Sequence, residues 1–158
     1  MSDLRVEKRQ AAAELVLATG TRVRGSFYLA GSSATHAGPE RIGDLLNGET
    51  GFFPFALEAE SSVETALYNR AQVVCVKLLE STGEATLDPG YELATERRVA
   101  VLLSNGETIC GAVRVYRPAG RDRLSDYARS NDVFRYVEAP QATFIINTTH
   151  IVELRETA

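Results

Sequence analysis

The chain matches itself. AELVLATGTRVRGSFYLA at 13–30 lies over VAVLLSNGETICGAVRVY at 99–116 with a constant offset of 86. Gly20 then meets Gly106, and Gly25 meets Gly111. Leu15, Leu17, Val23, Phe27 and Leu29 meet Val101, Leu103, Ile109, Val113 and Val115. These apolar matches fall on alternate residues, the period of a strand with one buried face. Such a duplication constrains the fold before any other feature, because both copies are expected to form the same unit.

The match continues with two slips. RIGDLLN at 41–47 aligns with RLSDYAR at 123–129 at an offset of 82, pairing Arg41 with Arg123 and Asp44 with Asp126. YNRAQVVCVKL at 68–78 aligns with INTTHIVEL at 146–154 at an offset of 78. The first copy is therefore longer in two loops, where changes of length are tolerated. Each copy reads as five short strands. In the first they fall near 12–19, 21–30, 51–58, 64–69 and 71–79. In the second, two lie within 99–116, followed by 133–138, 142–147 and 149–155. Ala18-Thr19-Gly20-Thr21 and Ser104-Asn105-Gly106 supply the hairpin turns. A short helical or turn segment carries each Arg-x-x-Asp. Residues 1–9 are expected to be helical or frayed. Residues 80–97 lack periodicity, contain Asp-Pro-Gly and read as a linker. The expected organisation is a first repeat at 10–82, a linker at 83–97 and a second repeat at 98–158.

Five short strands in about 65 residues, with no helical crossover, make an antiparallel small barrel or strongly bent sheet. The fold class is thus mainly β, with two tandem five-stranded barrels packed side by side, since cores this small are marginal alone. Gly25 and Gly111 sit in the middle of the second strand, where glycine marks a bend or a close backbone approach.

Composition narrows the function classes. At 158 residues, 44% hydrophobic and 24% charged, the chain is globular rather than disordered. It has no run of about 18 apolar residues and no apolar stretch in its N-terminal MSDLRVEKRQ, so neither membrane span nor signal peptide is expected, and the location is expected to be cytoplasmic. The net charge of −4 is shared evenly between the halves, with no basic tail. Cys75 and Cys110 both lie in apolar runs and are expected to be buried thiols rather than a disulfide.

No nucleophile elbow or phosphate-binding loop appears, and His36 and His150 stand in non-equivalent places without metal-ligand spacing. No catalytic residue, cofactor or metal is expected. The small polar loop Gly31-Ser32-Ser33-Ala34-Thr35 could cradle an anion, but flexible loops have the same composition. Asn147-Thr148-Thr149 fits the glycosylation pattern, which has no meaning without a secretory route. Asp44 and Asp126 read either as ligand contacts or as turn residues that cap backbone N–H groups or pair with the arginine three positions earlier. Their equivalent placement in both copies favours the turn. Arg114, Arg117, Arg121, Arg123, Arg129 and Arg135 stand against Asp122, Asp126 and Asp132 within 22 residues, a local charge of +3. Tyr116, Tyr127 and Tyr136 interleave with them. Arginine with aromatics suits nucleic acid, while internal Arg–Asp pairs are the plainer alternative.

The strand order, the glycine of the second strand and the tight junction between the fourth and fifth strands resemble the Sm-like fold. Gly25 with Asp44 and Asn47 is similar to the first Sm motif. Gly111 and Asp126 follow it in the second copy, with Arg129 at the asparagine position. The second motif's Arg-Gly is replaced by Tyr68-Asn69-Arg70-Ala71 and Asn147-Thr148-Thr149-His150. Glycine and aspartate stand 19 and 15 residues apart, wider than in Sm proteins. The Arg-x-x-Asp segment with its following Phe also resembles the mark of an uncharacterised bacterial family. The resemblance implies SH3-like barrels that pair the fourth strand of one unit with the fifth of the next. It also implies a ligand site at Asp44, Asn47, Asp126 and Arg129, to which the arginine-rich stretch adds Arg114, Arg117 and Arg123 as candidate ligand or RNA contacts. The expected function is a non-enzymatic interaction or assembly module that forms homo-oligomers through free strand edges. The alternative is RNA or single-stranded nucleic-acid binding by the arginine-rich face of the second repeat.

Overall fold

The alternating segments become strands, and the two Arg-x-x-Asp segments become short helices. The computed structural model describes residues 8–31, 38–58, 63–80, 83–116, 123–128 and 132–157. The first half of the chain forms β1 (Lys8–Leu17), β2 (Arg22–Ala30), α1 (Ile42–Gly48), β3 (Phe52–Leu57), β4 (Glu64–Asn69) and β5 (Val73–Leu78). The second forms β6 (Thr95–Leu103), β7 (Thr108–Val115), α2 (Leu124–Ala128), β8 (Phe134–Glu138), β9 (Thr143–Asn147) and β10 (Ile151–Glu156). Gly20 and Gly106 turn the two opening hairpins at φ 89°, a left-handed conformation that side chains disfavour.

All ten strands join one antiparallel sheet in the order β10-β6-β7-β8-β9-β5-β1-β2-β3-β4. The sheet is open, so the architecture is a single continuous sheet rather than two closed barrels side by side. Its middle is the pairing of β5 with β9, where Cys75, Val76 and Lys77 face Ile146, Ile145 and Phe144. Its edges are β4 and β10. The sequence of β5 explains its central place. Val73-Val74-Cys75-Val76 is an unbroken apolar run, buried throughout, as strands covered on both faces require. Val73, Val76 and Leu78 join a core with Phe27, Phe53 and Phe55, to which the second half adds Phe134 and Ile145. Val74 and Cys75 join the other core, with Val99, Val101, Val113 and Val137. Each core therefore holds residues from both halves.

Gly25 and Gly111 are sites of close approach. A Cβ on Gly25 would overlap the Ala56 carbonyl of β3, and one on Gly111 would stand 2.6 Å from the Glu138 carbonyl of β8.

Three expectations need correction. Lys8 and Arg9 are the start of β1, because they pair with Ala30 and Leu29 rather than fraying. The linker is not featureless. It makes 3-10 turns at Glu84–Leu87 and Tyr91–Leu93, buries Glu84 and Ala85, and passes into β6 already at Thr95. Cys110 is exposed, whereas Cys75 is buried. Strand alternation points Ile109 into the core and Cys110 away from it, while β5 has no outward face. No helix among the described residues is long and apolar enough to cross a membrane.

Candidate functional site

The N-terminus of α1 is where the sequence first places charge. Its free N–H groups need acceptors. Asp44 accepts from the Arg41 backbone N–H at 2.9 Å and binds the Arg41 guanidinium through both oxygens, at 3.1 and 2.8 Å. This is the turn-residue reading of Asp44, formed by neighbours three apart. The next N–H, of Ile42, is met from outside the helix. It donates to both carboxylate oxygens of Glu84, at 3.1 and 3.0 Å.

The linker thus supplies the second carboxylate of this cluster and a third besides. Asp88 accepts from Arg41 Nη1 at 2.5 Å, and Arg41 also donates to the Glu84 carbonyl at 3.2 Å. Burial disfavours the Arg41 charge, but Asp44 and Asp88 outweigh it and hold the guanidinium protonated well above its ordinary range. From the other side Tyr136 of β8 lies under Arg41, 5.5 Å from ring centre to guanidinium carbon, and donates its hydroxyl to Glu84 at 2.8 Å. Burial first, and then the Glu84 charge, push the Tyr136 hydroxyl far above the usual phenol range. Gly43 is required here, because a Cβ would strike the Tyr136 ring.

Asn47 at the far end of α1 closes the contact between halves. Its Nδ2 donates to the Phe134 carbonyl at 2.8 Å, and its Oδ1 accepts the Phe134 N–H at 2.8 Å.

Between α1, the linker, β7 and β8 these groups enclose a cavity of about 420 Å³. Asp44, Asn47 and Arg114 line it together, so the fold gathers three of the expected site residues. Arg114 stacks 4.2 Å over Tyr91 and donates to its hydroxyl at 3.2 Å. Tyr91 donates its own hydroxyl to Glu138 at 2.7 Å, and Tyr116 donates to Asp88 at 3.0 Å. Burial, then Asp88, raise Tyr116 above the usual phenol range. Tyr127, buried beside Arg135, is pushed up to about 12 by burial, with Arg135 opposing.

Of the other expected site residues, only Arg123 and Asp126 fall within the described ones, and Arg123 does not line this cavity. Arg123 precedes α2, is exposed, and accepts the Tyr127 N–H on its carbonyl at 3.2 Å. Asp126 falls within α2. Arg117, Arg121, Arg129, His36 and residues 32–35 of the small polar loop lie outside the described residues. Arg135 leaves the expected arginine-rich face. It is buried, donates to the carbonyls of Tyr127 and Asp132, and stacks 4.6 Å over Tyr127.

The linker's Glu84, Asp88 and Tyr91 carry much of the site and were not legible as candidates. Their partners lie more than 20 positions away, and no spacing marks them. Arg70 was also missed. It is buried at the turn between β4 and β5, donates to the carbonyls of Phe52 and Leu45 at 2.8 and 3.1 Å, and meets no carboxylate among the described residues. It borders a second cavity of about 510 Å³. Burial lowers its pKa, and Glu49 works in the opposite direction. The turn carrying it is capped by Asn69, as the equivalent turn is by Asn147. Each side chain accepts the N–H two residues on at 3.0 Å.

Among the described residues no group of three or more His, Cys, Asp or Glu is placed to hold a metal ion. No protein-family model, curated protein or solved structure matches the chain.

Proposed function

We propose that the chain is a non-enzymatic assembly module that self-associates head to tail through the two edges of its sheet. The observation that carries this reading is the β5–β9 junction. There the fourth strand of the second half pairs with the fifth strand of the first. The two edges, β4 and β10, are the fourth strand of the first half and the fifth of the second. Each edge offers unpaired backbone groups, and each exposes an apolar residue, Leu67 on β4 and Val152 on β10. Repeating the internal junction between chains sets Glu153 opposite Tyr68, Leu154 opposite Leu67 and Arg155 opposite Ala66. Because the two edges differ, the contact is heterologous, and it closes into a ring or runs on as a filament. The shared strand order of the halves, with the close approaches at Gly25 and Gly111, supports reading each half as an Sm-like unit.

The test is sedimentation of the full chain across a wide concentration range. Assembly that weakens on Leu67→Lys, which places a charge on the β4 edge, supports the module. A wild-type chain that stays monomeric at high concentration counts against it.

A second reading, binding of RNA or single-stranded nucleic acid by the second half, is favoured by the local charge of +3 and the exposed Tyr116. It requires salt-sensitive oligonucleotide binding that weakens on Arg123→Ala or Arg129→Ala.

A further inference from the structure

The cavity between α1, the linker and β7–β8 holds a charge that no carboxylate among the described residues neutralises. Its guanidinium groups are those of Arg41, Arg114 and Arg135. Arg41 is divided between Asp44 and Asp88. Arg135 is held by the carbonyls of Tyr127 and Asp132. Arg114 has only the ring and hydroxyl of Tyr91, meets no carboxylate among the described residues, and keeps a buried Nε with no hydrogen-bond partner. A buried donor left unmatched is costly, and a partly desolvated guanidinium more so.

Three of the four carboxylates on the same walls are already engaged. Asp44 and Asp88 serve Arg41, Asp88 also takes the Tyr116 hydroxyl, and Glu138 takes that of Tyr91. Asp132 stands exposed. Asp132 is met by solvent, so the buried group left seeking a partner is cationic. Guanidinium binds planar or tetrahedral oxyanions through paired N–H donors. Tyr127 and Phe134 add apolar wall, and Tyr116, half open to solvent, offers a ring face. A volume of about 420 Å³ suits a small molecule.

We propose that this cavity binds a small organic anion, its phosphate or carboxylate group on Arg114 and its body against Tyr116 and Tyr127. The site takes no lining residue from β4 or β10 and stands apart from self-association. The tandem arrangement creates it, since α1 comes from one half, β7 and β8 from the other, and Asp88 from the linker.

The experiment is an amide-resolved NMR titration of the full chain with inorganic phosphate, adenosine 5′-monophosphate, succinate and a short single-stranded oligonucleotide. Binding of a small probe is expected to move the amides of Asp88, Arg114, Val115 and Tyr116. Arg114→Gln is expected to weaken it about tenfold or more, the loss of a charge-assisted contact. Arg24→Gln, whose side chain is exposed in the first half, and Leu67→Lys are expected to leave it unchanged. Binding of the two phosphates alone identifies a phosphate head group, and binding of succinate alone a carboxylate. If none of the three small probes moves these amides, or the oligonucleotide alone does, the proposal is overturned. Should Arg114→Gln fail to fold, the wild-type map still decides, because perturbations located elsewhere also overturn it.

Discussion

Asn47 and Phe134 exchange two hydrogen bonds, side chain to backbone, across 87 positions of sequence. The amide of Asn47 presents one donor and one acceptor, as an adjoining strand residue would, and so extends the edge of β8 into the first half. Phe134 is itself buried in the core shared with Phe53 and Phe55. In the second copy Arg129 stands at the position of Asn47. The copies therefore differ in sequence at the position that makes this contact in the first copy.

Asn47→Ala is expected to cost about 2 kcal/mol, because it leaves the N–H and carbonyl of a half-buried strand end without partners. Asn47→Asp is expected to cost at least as much, since a carboxylate accepts the N–H but repels the carbonyl. Urea denaturation followed by both fluorescence and circular dichroism checks this, with a single coincident transition expected for a sheet whose cores contain residues of both halves.

Glu84 joins three elements at once. It accepts two hydrogen bonds from Ile42 and one from Tyr136. Glu84→Ala is expected to destabilise by about 2–4 kcal/mol, the cost of a lost helix cap and an orphaned buried hydroxyl. Tyr136→Phe alone is expected to cost about 1 kcal/mol. The pair lies in one network, so the double variant is expected to lose less than the sum. Strict additivity in a double-mutant cycle would show that the two groups do not act on one another.

These two contacts also show where sequence reading stopped. The pairing of Arg41 with Asp44 is local, and the recurrence of the Arg-x-x-Asp pattern at Arg123 and Asp126 made the turn legible. The strands were legible for the same reason, since alternation is a property of neighbours. The fourth strand is read at 64–69 and observed as Glu64–Asn69. The fifth begins two residues later than its reading, at Val73, because Asn69 winds Arg70–Gln72 into a 3-10 turn. The bonds of Glu84 to Ile42 and of Asn47 to Phe134 have no such period. They exist only once the sheet has brought distant segments together. Composition misled for Cys110 as well, because an apolar run does not say which of its alternate residues faces outward.

Glu14 predicts a pH dependence. Burial opposes its charge, but Arg24 at 2.9 Å and Arg22 at 3.4 Å outweigh it and hold the carboxyl below its ordinary value of 4.5. A depressed folded pKa means that the unfolded chain binds the proton more tightly. The stabilisation is therefore present above the ordinary value and is lost as pH falls through the folded pKa. Urea midpoints measured from about pH 7 down to about pH 3 are expected to fall less steeply for Glu14→Gln than for the wild type. Both arginines are half exposed, so high salt is expected to shrink the difference. Identical slopes for the two chains at low salt would remove Glu14 as a source of acid sensitivity.

The two thiols are expected to differ sharply in reactivity. Cys75 lies in the doubly covered strand β5, where burial pushes its pKa up to about 12, with the weaker influences of Arg22 and Glu14 opposing one another. Cys110 lies exposed on β7. The thiolate is the reactive species, so both access and ionisation protect Cys75. A disulfide reagent added to the native chain is expected to modify one thiol quickly and the second only on unfolding. Cys110→Ser is expected to abolish the fast phase and leave stability nearly unchanged, as for most exposed positions. Cys75→Ser is expected to keep the fast phase and to lose stability, because it sets a hydroxyl in the core that Cys75 shares with Val99 and Val137. Rapid modification of both thiols in the native state would mean that the β5–β9 junction opens readily.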